Sequence, residues 1–480
     1  MRRAAAAACL VAALLASLGC GASASAAPAP QADYAARAFA LLDRLVTCDY
    51  AEPLGTFPTE ALWQSGNTLE ALSTATALLR DGTGEAAAPG RVAAWLALMN
   101  NSFARTPVIV DQCFDDHQWW LHAWVRASEV SGELAYAERA AAVFDFVVSN
   151  GWSPSFCGGG VDWCPVSGSD KPYKNAVTSE LFFAAAMALA PHEASLGKPA
   201  GFYVAWAEQA WAWLDASGMQ GADGLFNDGL TQDSCTNNQQ TTWTYDQAMA
   251  LSGLGRLALA QGGNATLVAA AARLFSAATT LLTVAGGILA EPCGNSCDND
   301  QHIFKGVWAR HAAYLARAQP PMQLQAATFL DAQARSLIAN ASCATGGYGN
   351  LWQGPACASH STASDSAALD LLLAAAELAP PSSAAWHALG VGACVDAQAR
   401  AMPSCSAIVA GGEAACRAAA EADAAAVAYE LETGCLGVSV CAVSTTAASC
   451  APGWTRSAGS GATSVSAVDG KALAMCVLRA

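Results

Sequence analysis

The sequence predicts an all-α protein: a toroid of six helical hairpins, an (α/α)6 arrangement, over residues 30–385, with a small cysteine-rich C-terminal appendage over 386–480. Three observations carry this. Apolar residues recur at helical spacing in about twelve segments before residue 380, and no convincing strand interrupts them. Short and long connections rich in Gly, Pro, Asn and Cys alternate between the segments, as expected of stacked hairpins. From about residue 385 the composition shifts to cysteine, serine, threonine and glycine.

Residues 1–26 read as a secretory signal: Arg2 and Arg3, an apolar run from Ala4 to Leu18, then small residues around Ala22-Ser23-Ala24. A lipoprotein reading of Cys20 is disfavoured by Ser17 three residues before it. The helices are expected to begin near Gln31, Ala61, Arg91, Asp116, Leu134, Tyr173, Phe202, Thr242, Ala265, Asn299, Met322 and Ser361. In the appendage, an Ala-rich helix is expected near Ala414 to Tyr429, and seven cysteines suggest a disulfide-stapled unit that caps the toroid or binds glycan. No stretch after the signal has the length and unbroken apolarity of a membrane span, so stable membrane insertion is not expected.

With 480 residues, 54% of them hydrophobic, the chain is long enough for a large core. Its net charge of −16 repels nucleic acid and anionic membranes, whereas a neutral polysaccharide tolerates it. Of 18 cysteines, Cys9 and Cys20 fall in the signal, and 18 − 2 leaves 16, an even number suited to disulfides. Short spacings pair Cys157 with Cys164, Cys293 with Cys297 and Cys343 with Cys357. Zinc is not expected, because Cys293 and Cys297 have no second Cys/His pair at a suitable distance. Asn100, Asn264 and Asn340 sit in glycosylation sequons.

The unusual residues fall at the starts of even-numbered helices. Trp63 and Asn67 open the second, Asp115-Asp116 with Trp119 and Trp120 the fourth, and Asn175 the sixth. Trp243, Tyr245 and Asp246 open the eighth, Asp300 and Gln301 the tenth, and His360 to Asp365 the twelfth. A closed hairpin ring brings all six starts to one end of its inner helices. The glycine-rich connections that carry Trp163 and Asp228 feed the same end. Two acids among aromatic rings suit cleavage of a sugar bond, where one group attacks or orients and the other moves a proton. Acids in a first turn are also ordinary complements of the helix dipole, and a Trp at helical spacing is ordinarily core.

The residues further resemble glycoside hydrolase family 76. Phe114-Asp115-Asp116 with Trp119-Trp120 resembles its aspartate pair, and Cys157-Gly158-Gly159-Gly160, Tyr173-Lys174-Asn175 and Asn227-Asp228-Gly229 follow in the family's order. Thr242-Trp243-Thr244-Tyr245, Glu291-Pro292-Cys293, Asp300-Gln301 and Phe304-Lys305-Gly306 complete it. The resemblance spans most of residues 35 to 370 and implies an (α/α)6 barrel and a retaining endo-hydrolase of α-1,6-mannan, which the signal segment makes a secreted one. It implies Asp115 as nucleophile and Asp116 as acid/base. Trp63, Asn67, Trp119, Trp120, Trp163, Asn175, Asp228, Trp243, Tyr245, Asp246, Asp300 and Gln301 are the candidate sugar contacts. Neither cofactor nor metal is called for, and a monomer is expected. Relatives often carry two tryptophans where Asp162-Trp163 has one, and asparagine where Asp246 stands. A transglycosidase and an inactive glycan-binding protein are the alternatives.

Overall fold

The computed structural model describes residues 30–378 except 84–87, 111–112, 167–169, 356 and 358–359, and beyond residue 385 the backbone of eight strands. The expected signal lies outside the described residues. Among the described residues, twelve α-helices precede residue 380: α1 (Pro30–Cys48), α2 (Leu62–Arg80), α3 (Pro89–Arg105), α4 (Phe114–Ser131), α5 (Leu134–Asn150) and α6 (Ala176–Leu189), then α7 (Phe202–Ala216), α8 (Ala248–Ala260), α9 (Ala265–Leu281), α10 (Gln301–Ala318), α11 (Pro320–Asn340) and α12 (Thr362–Leu378). A two-residue hairpin, β1 (Thr283–Val284) with β2 (Ile288–Leu289), sits in the connection to α10.

Burial separates the helices into two rings. All 14 residues of α6 are buried. In α5, by contrast, the buried set is Tyr136, Ala137, Ala140, Ala141, Val143, Phe144 and Val147, the three-and-four spacing of a helix with one face to a core. The even-numbered helices pack in sequence, α2 on α4, α6, α8, α10 and α12, and α12 returns to α2 and closes the circle. Small residues allow the close approach: a Cβ on Gly306 of α10 would lie 2.4 Å from the Ala367 Cα of α12.

Polar groups join the ring internally. Arg310 of α10 donates to Asp370 of α12 at 2.7 Å and to Asn67 of α2, and lies 3.4 Å from Glu70. Tyr314 donates to Glu70 at 2.7 Å. Burying these charges is tolerable because each is paired; burial still pushes Asp370 up to about 6. The closing joint is Glu60, which accepts hydrogen bonds from Thr68 at 3.0 Å and Ser366 at 2.8 Å.

Residues 380–480 form a separate unit. Here the all-α expectation gives way to β structure: β3 (Trp386–Val391), β4 (Ala393–Val395), β5 (Ser404–Val409), β6 (Ala426–Thr433), β7 (Ser439–Thr445), β8 (Thr455–Ser457), β9 (Ser464–Ser466) and β10 (Leu473–Arg479). Six make an antiparallel sheet in the order β3-β10-β6-β7-β5-β8, and β4 pairs with β9. The helix expected to run through Tyr429 is corrected at its end, where Ala426 to Tyr429 begin β6; Val427, Tyr429, Leu431 and Thr433 alternate with smaller or charged residues, a period of two. Residues 414–425 and the pairing of the seven cysteines lie outside the described residues. Among the described residues, no helix is long and apolar enough to cross a membrane.

Candidate active site

The acid pair occupies the first turn of α4. Cys113 precedes the helix in extended conformation and offers no side-chain cap. Asp115 partly fills that role: its Oδ1 accepts the Asp116 backbone N–H at 3.0 Å. Its Oδ2 accepts the indole N–H of Trp163 at 2.9 Å. One carboxylate oxygen of Asp115 and one of Asp116 lie within 4.8 Å of each other. The Cys113 sulfur falls within the same radius, but it is bonded to Cys164 and is no thiolate ligand.

Both acids open into a cleft of about 420 Å³ at the N-terminal end of the inner ring. Trp63 of α2 lines it with Trp119 of α4, Tyr245 before α8 and Phe304 of α10; Trp163, Tyr173, Asn175, Asp228 and Asp300 complete the lining. Trp63 and Trp119 lie 5.5 Å apart, Trp119 stacks on Tyr245 at 6.4 Å and 14°, and Tyr245 stacks on Phe304 at 3.8 Å and 2°. Apolar ring faces beside carboxylates and an amide suit a sugar, whose C–H faces stack while its hydroxyls find partners. Asn175 is 6% exposed, and its Oδ1 has no protein partner. Tyr173 donates to Asp228 and accepts from Asn238 at 2.8 Å.

The cleft is acidic, and none of its lining residues is basic. Burial, and next the neighbouring Asp298, raise Asp300 above the usual carboxylate range. Beneath the lining, burial followed by Glu180, Asp228 and Glu291 raises Asp246 well above that range. Burial likewise raises Glu180 and Glu291, the latter opposed by Lys305, and drops Lys305 to about 8.

Five expected contacts lie elsewhere. Adjacent residues on a helix diverge by about 100°: Trp120 donates to the Leu62 carbonyl at 3.0 Å, away from the cleft, whereas Trp119 lines it by an edge, both rings being almost wholly buried. Asn67 is consumed by Arg310, and Asp246 is 1% exposed beneath the floor. Trp243 packs edge-on to Phe304 at 5.7 Å and is not itself among the lining residues. Gln301 spends its carbonyl oxygen on the Asp298 backbone N–H at 2.7 Å. Tyr173 and Phe304 line the cleft although neither was singled out; Tyr173 opened a noted cluster and Phe304 stands four residues after Asp300. The sixth cluster does not reach the lining, because Asp365 is tied to Arg44 and His360.

Disulfides frame this end of the ring. Cys293–Cys297 and Cys343–Cys357 form as expected. The expected Cys157–Cys164 pair does not: Cys164 joins Cys113, and Cys157 joins Cys235. The cause is backbone pairing. Phe114 N–H donates to the Trp163 carbonyl at 2.7 Å and Trp163 N–H to the Tyr173 carbonyl at 2.8 Å, which sets Cys164 against Cys113. The glycine turn before them lies under Trp213, where a Cβ on Gly160 (φ +77°) would come within 2.4 Å of the ring. Lys174, fully buried, clamps the same turn through the Gly160 carbonyl and Asp162, both at 2.6 Å.

The chain is similar to several known proteins. A mannan endo-1,6-alpha-mannosidase of Saccharomyces cerevisiae is 28% identical over 246 residues, 49% of this chain and 53% of that one. Its Candida glabrata counterpart is 27% identical over 263 residues, 52% and 57% of the two chains. The chain spans about half the length of the curated relatives it matches. An alpha-1,6-mannanase of Salegentibacter, solved with alpha-1,6-mannotriose as an inactive variant in which two neighbouring aspartates are asparagines, shares the fold with a TM-score of 0.60 and 20% identity, covering 72% of this chain and all of that one. The model of glycosyl hydrolase family 76 matches residues 31–382, and the chain belongs to that family.

Proposed function

We propose that the protein is an exported glycoside hydrolase that cleaves α-1,6-mannosidic bonds with retention of anomeric configuration. The observation that carries the mechanism is the acid pair itself, with carboxylate oxygens within 4.8 Å of each other beside an aromatic wall. Retaining enzymes hold their carboxyl groups about 5–5.5 Å apart, whereas inverting ones leave room for a water between them. The names of the yeast relatives and the aspartate pair replaced in the inactive Salegentibacter variant support the substrate and the residues.

In this reading Asp115 attacks the anomeric carbon as the glycosidic C–O bond breaks, and Asp116 gives its proton to the departing oxygen. Water then attacks the glycosyl ester, Asp116 takes the water's proton, and Asp115 leaves as carboxylate. Trp63 and Tyr245, both part-exposed, meet the sugars with the buried Trp119 and Phe304 packed behind them, and Asn175, Asp228 and Asp300 bind the hydroxyls. The disulfides suit an oxidising, extracellular setting.

Digestion of α-1,6-mannan, followed by mass spectrometry and NMR of the first product, tests this. Shorter chains with an α-anomeric product are expected, and Asp115→Asn or Asp116→Asn should abolish turnover. A β-product refutes the mechanism. Lengthened chains identify transfer to sugar instead of water, and an inert mannan refutes the substrate.

A further inference from the structure

We infer that Trp163 is a positioning residue for the attacking carboxylate, acting through its indole N–H and not as a stacking surface for sugar. This rests on the reading of Asp115 as nucleophile.

A nucleophilic carboxylate on a first helical turn needs its plane fixed, since rotation about the last side-chain bond swings the attacking oxygen away from the anomeric carbon. Two donors on two different oxygens supply that restraint: the Asp116 backbone N–H on Oδ1 and the Trp163 indole N–H on Oδ2. The first is built into the helix. The second comes from a residue 48 positions away, and the surrounding structure serves to hold it there. The Trp163 carbonyl accepts from Phe114, the residue before Asp115, and the Trp163 N–H is held by Tyr173. The Cys113–Cys164 bond joins the residue before Phe114 to the residue after Trp163. Tyr173 meets the indole edge-on at 6.2 Å and 85°, and is itself fixed by Asp228 and Asn238. Two backbone bonds, the neighbouring disulfide and the Tyr173 ring together restrain this tryptophan more than a platform requires. Trp163 is nevertheless 42% exposed, so ring-face stacking is the competing role to be separated by experiment.

Trp163→Phe makes the separation, because it keeps an aromatic face and removes only the N–H. A hydrogen bond to a charged group of this kind predicts a fall in kcat of roughly 10- to 100-fold on α-1,6-mannan, with KM within about twofold and the melting temperature unchanged. The same fall is expected on the 2,4-dinitrophenyl glycoside of α-1,6-mannotriose, whose leaving group needs no proton. Asp116→Asn, by contrast, should regain glycosylation activity on that substrate. Near-normal kcat in Trp163→Phe with a raised KM in Trp163→Ala overturns the inference in favour of stacking. A second readout uses the wild-type fold: in protein labelled with 15N-tryptophan, Asp115→Asn should move the Trp163 indole proton upfield, and an unmoved resonance also overturns it. Loss of activity in Asp115→Asn with a normal Trp163→Phe refutes this inference alone, whereas an active Asp115→Asn refutes the nucleophile assignment beneath it.

Discussion

Replacing Cys113 and Cys164 together by serine should damage catalysis more than its stability cost explains. The bond closes a loop of 51 residues. The chain-entropy relation for a loop of that length gives about 4 kcal/mol of stabilisation, which the variant loses. The Cys343–Cys357 bond closes 14 residues, for about 3 kcal/mol by the same relation, whereas it is the Cys113 sulfur that lies within 4.8 Å of both acids. The two double-serine variants therefore form a matched pair, close in stability cost and different in distance from the acids. Urea unfolding should show midpoints lowered in both, somewhat more for Cys113/Cys164. Initial rates on α-1,6-mannan at 25 °C should fall roughly tenfold or more for Cys113/Cys164, because small displacements of a reacting group are costly, and stay within about twofold for Cys343/Cys357. Equal residual activity in the two would refute the claim that this bond sets the acid geometry. An unchanged urea midpoint would refute the entropy estimate.

Glu60→Gln should change how stability varies with pH. Burial, opposed by Ser366 and Thr68, pushes Glu60 up to about 8 from its ordinary 4.5. The native state thus holds a proton that the unfolded chain releases, so this contribution is full below about pH 4.5 and is lost as pH rises toward 8, by at most about 5 kcal/mol. Chemical denaturation at pH 5 and 8.5 should show the glutamine variant gaining on wild type at the higher pH, and parallel curves would refute this. Gly160→Ala combines a left-handed backbone with a collision against Trp213, and should cost about 2–4 kcal/mol in thermal unfolding. A stability change below about 1 kcal/mol would mean that the turn relaxes freely.

The twelve helices were legible because period is a local property, and burial on all sides or on one side leaves a direct trace in composition. Their first residues were less so. Thr242 was expected to start a helix, yet α8 begins at Ala248 after a single tighter turn over Tyr245–Gln247. Tyr173 precedes α6 by three residues. In both places the residue that reaches the cleft, Tyr173 or Tyr245, stands before the α-helix rather than in it. Which member of a cluster faces the sugar depends on rotation about the helix axis, and that is set by partners far along the chain. Trp119 and Trp120 are equal in sequence; the Leu62 carbonyl distinguishes them. The Cys164 pairing failed for a similar reason, since spacing carries no information about the Phe114–Trp163 backbone bond that aligns it. In the appendage, alanine concealed a two-residue period that β6 makes plain.

The acidity of the cleft follows from the architecture. Asp115, Asp116, Asp228 and Asp300 line it without a basic side chain among the lining residues, an arrangement that mutual repulsion ordinarily forbids. The inner helices bring their N-terminal ends to this face, each equivalent to about half a positive charge. That field is supplied by the backbone and takes no room in the cleft, whereas an arginine would fill it and pair with the acids it is meant to offset. Below the lining the dipoles are not enough, and there the carboxyls shift toward their neutral form: burial and acidic neighbours raise Asp246, and burial raises Glu180. The acid pair can therefore sit at a helix start as both dipole complement and chemical centre, because Asp115 satisfies one free N–H with Oδ1 and meets Trp163 with Oδ2. The capping role and the catalytic role use different oxygens of one carboxylate.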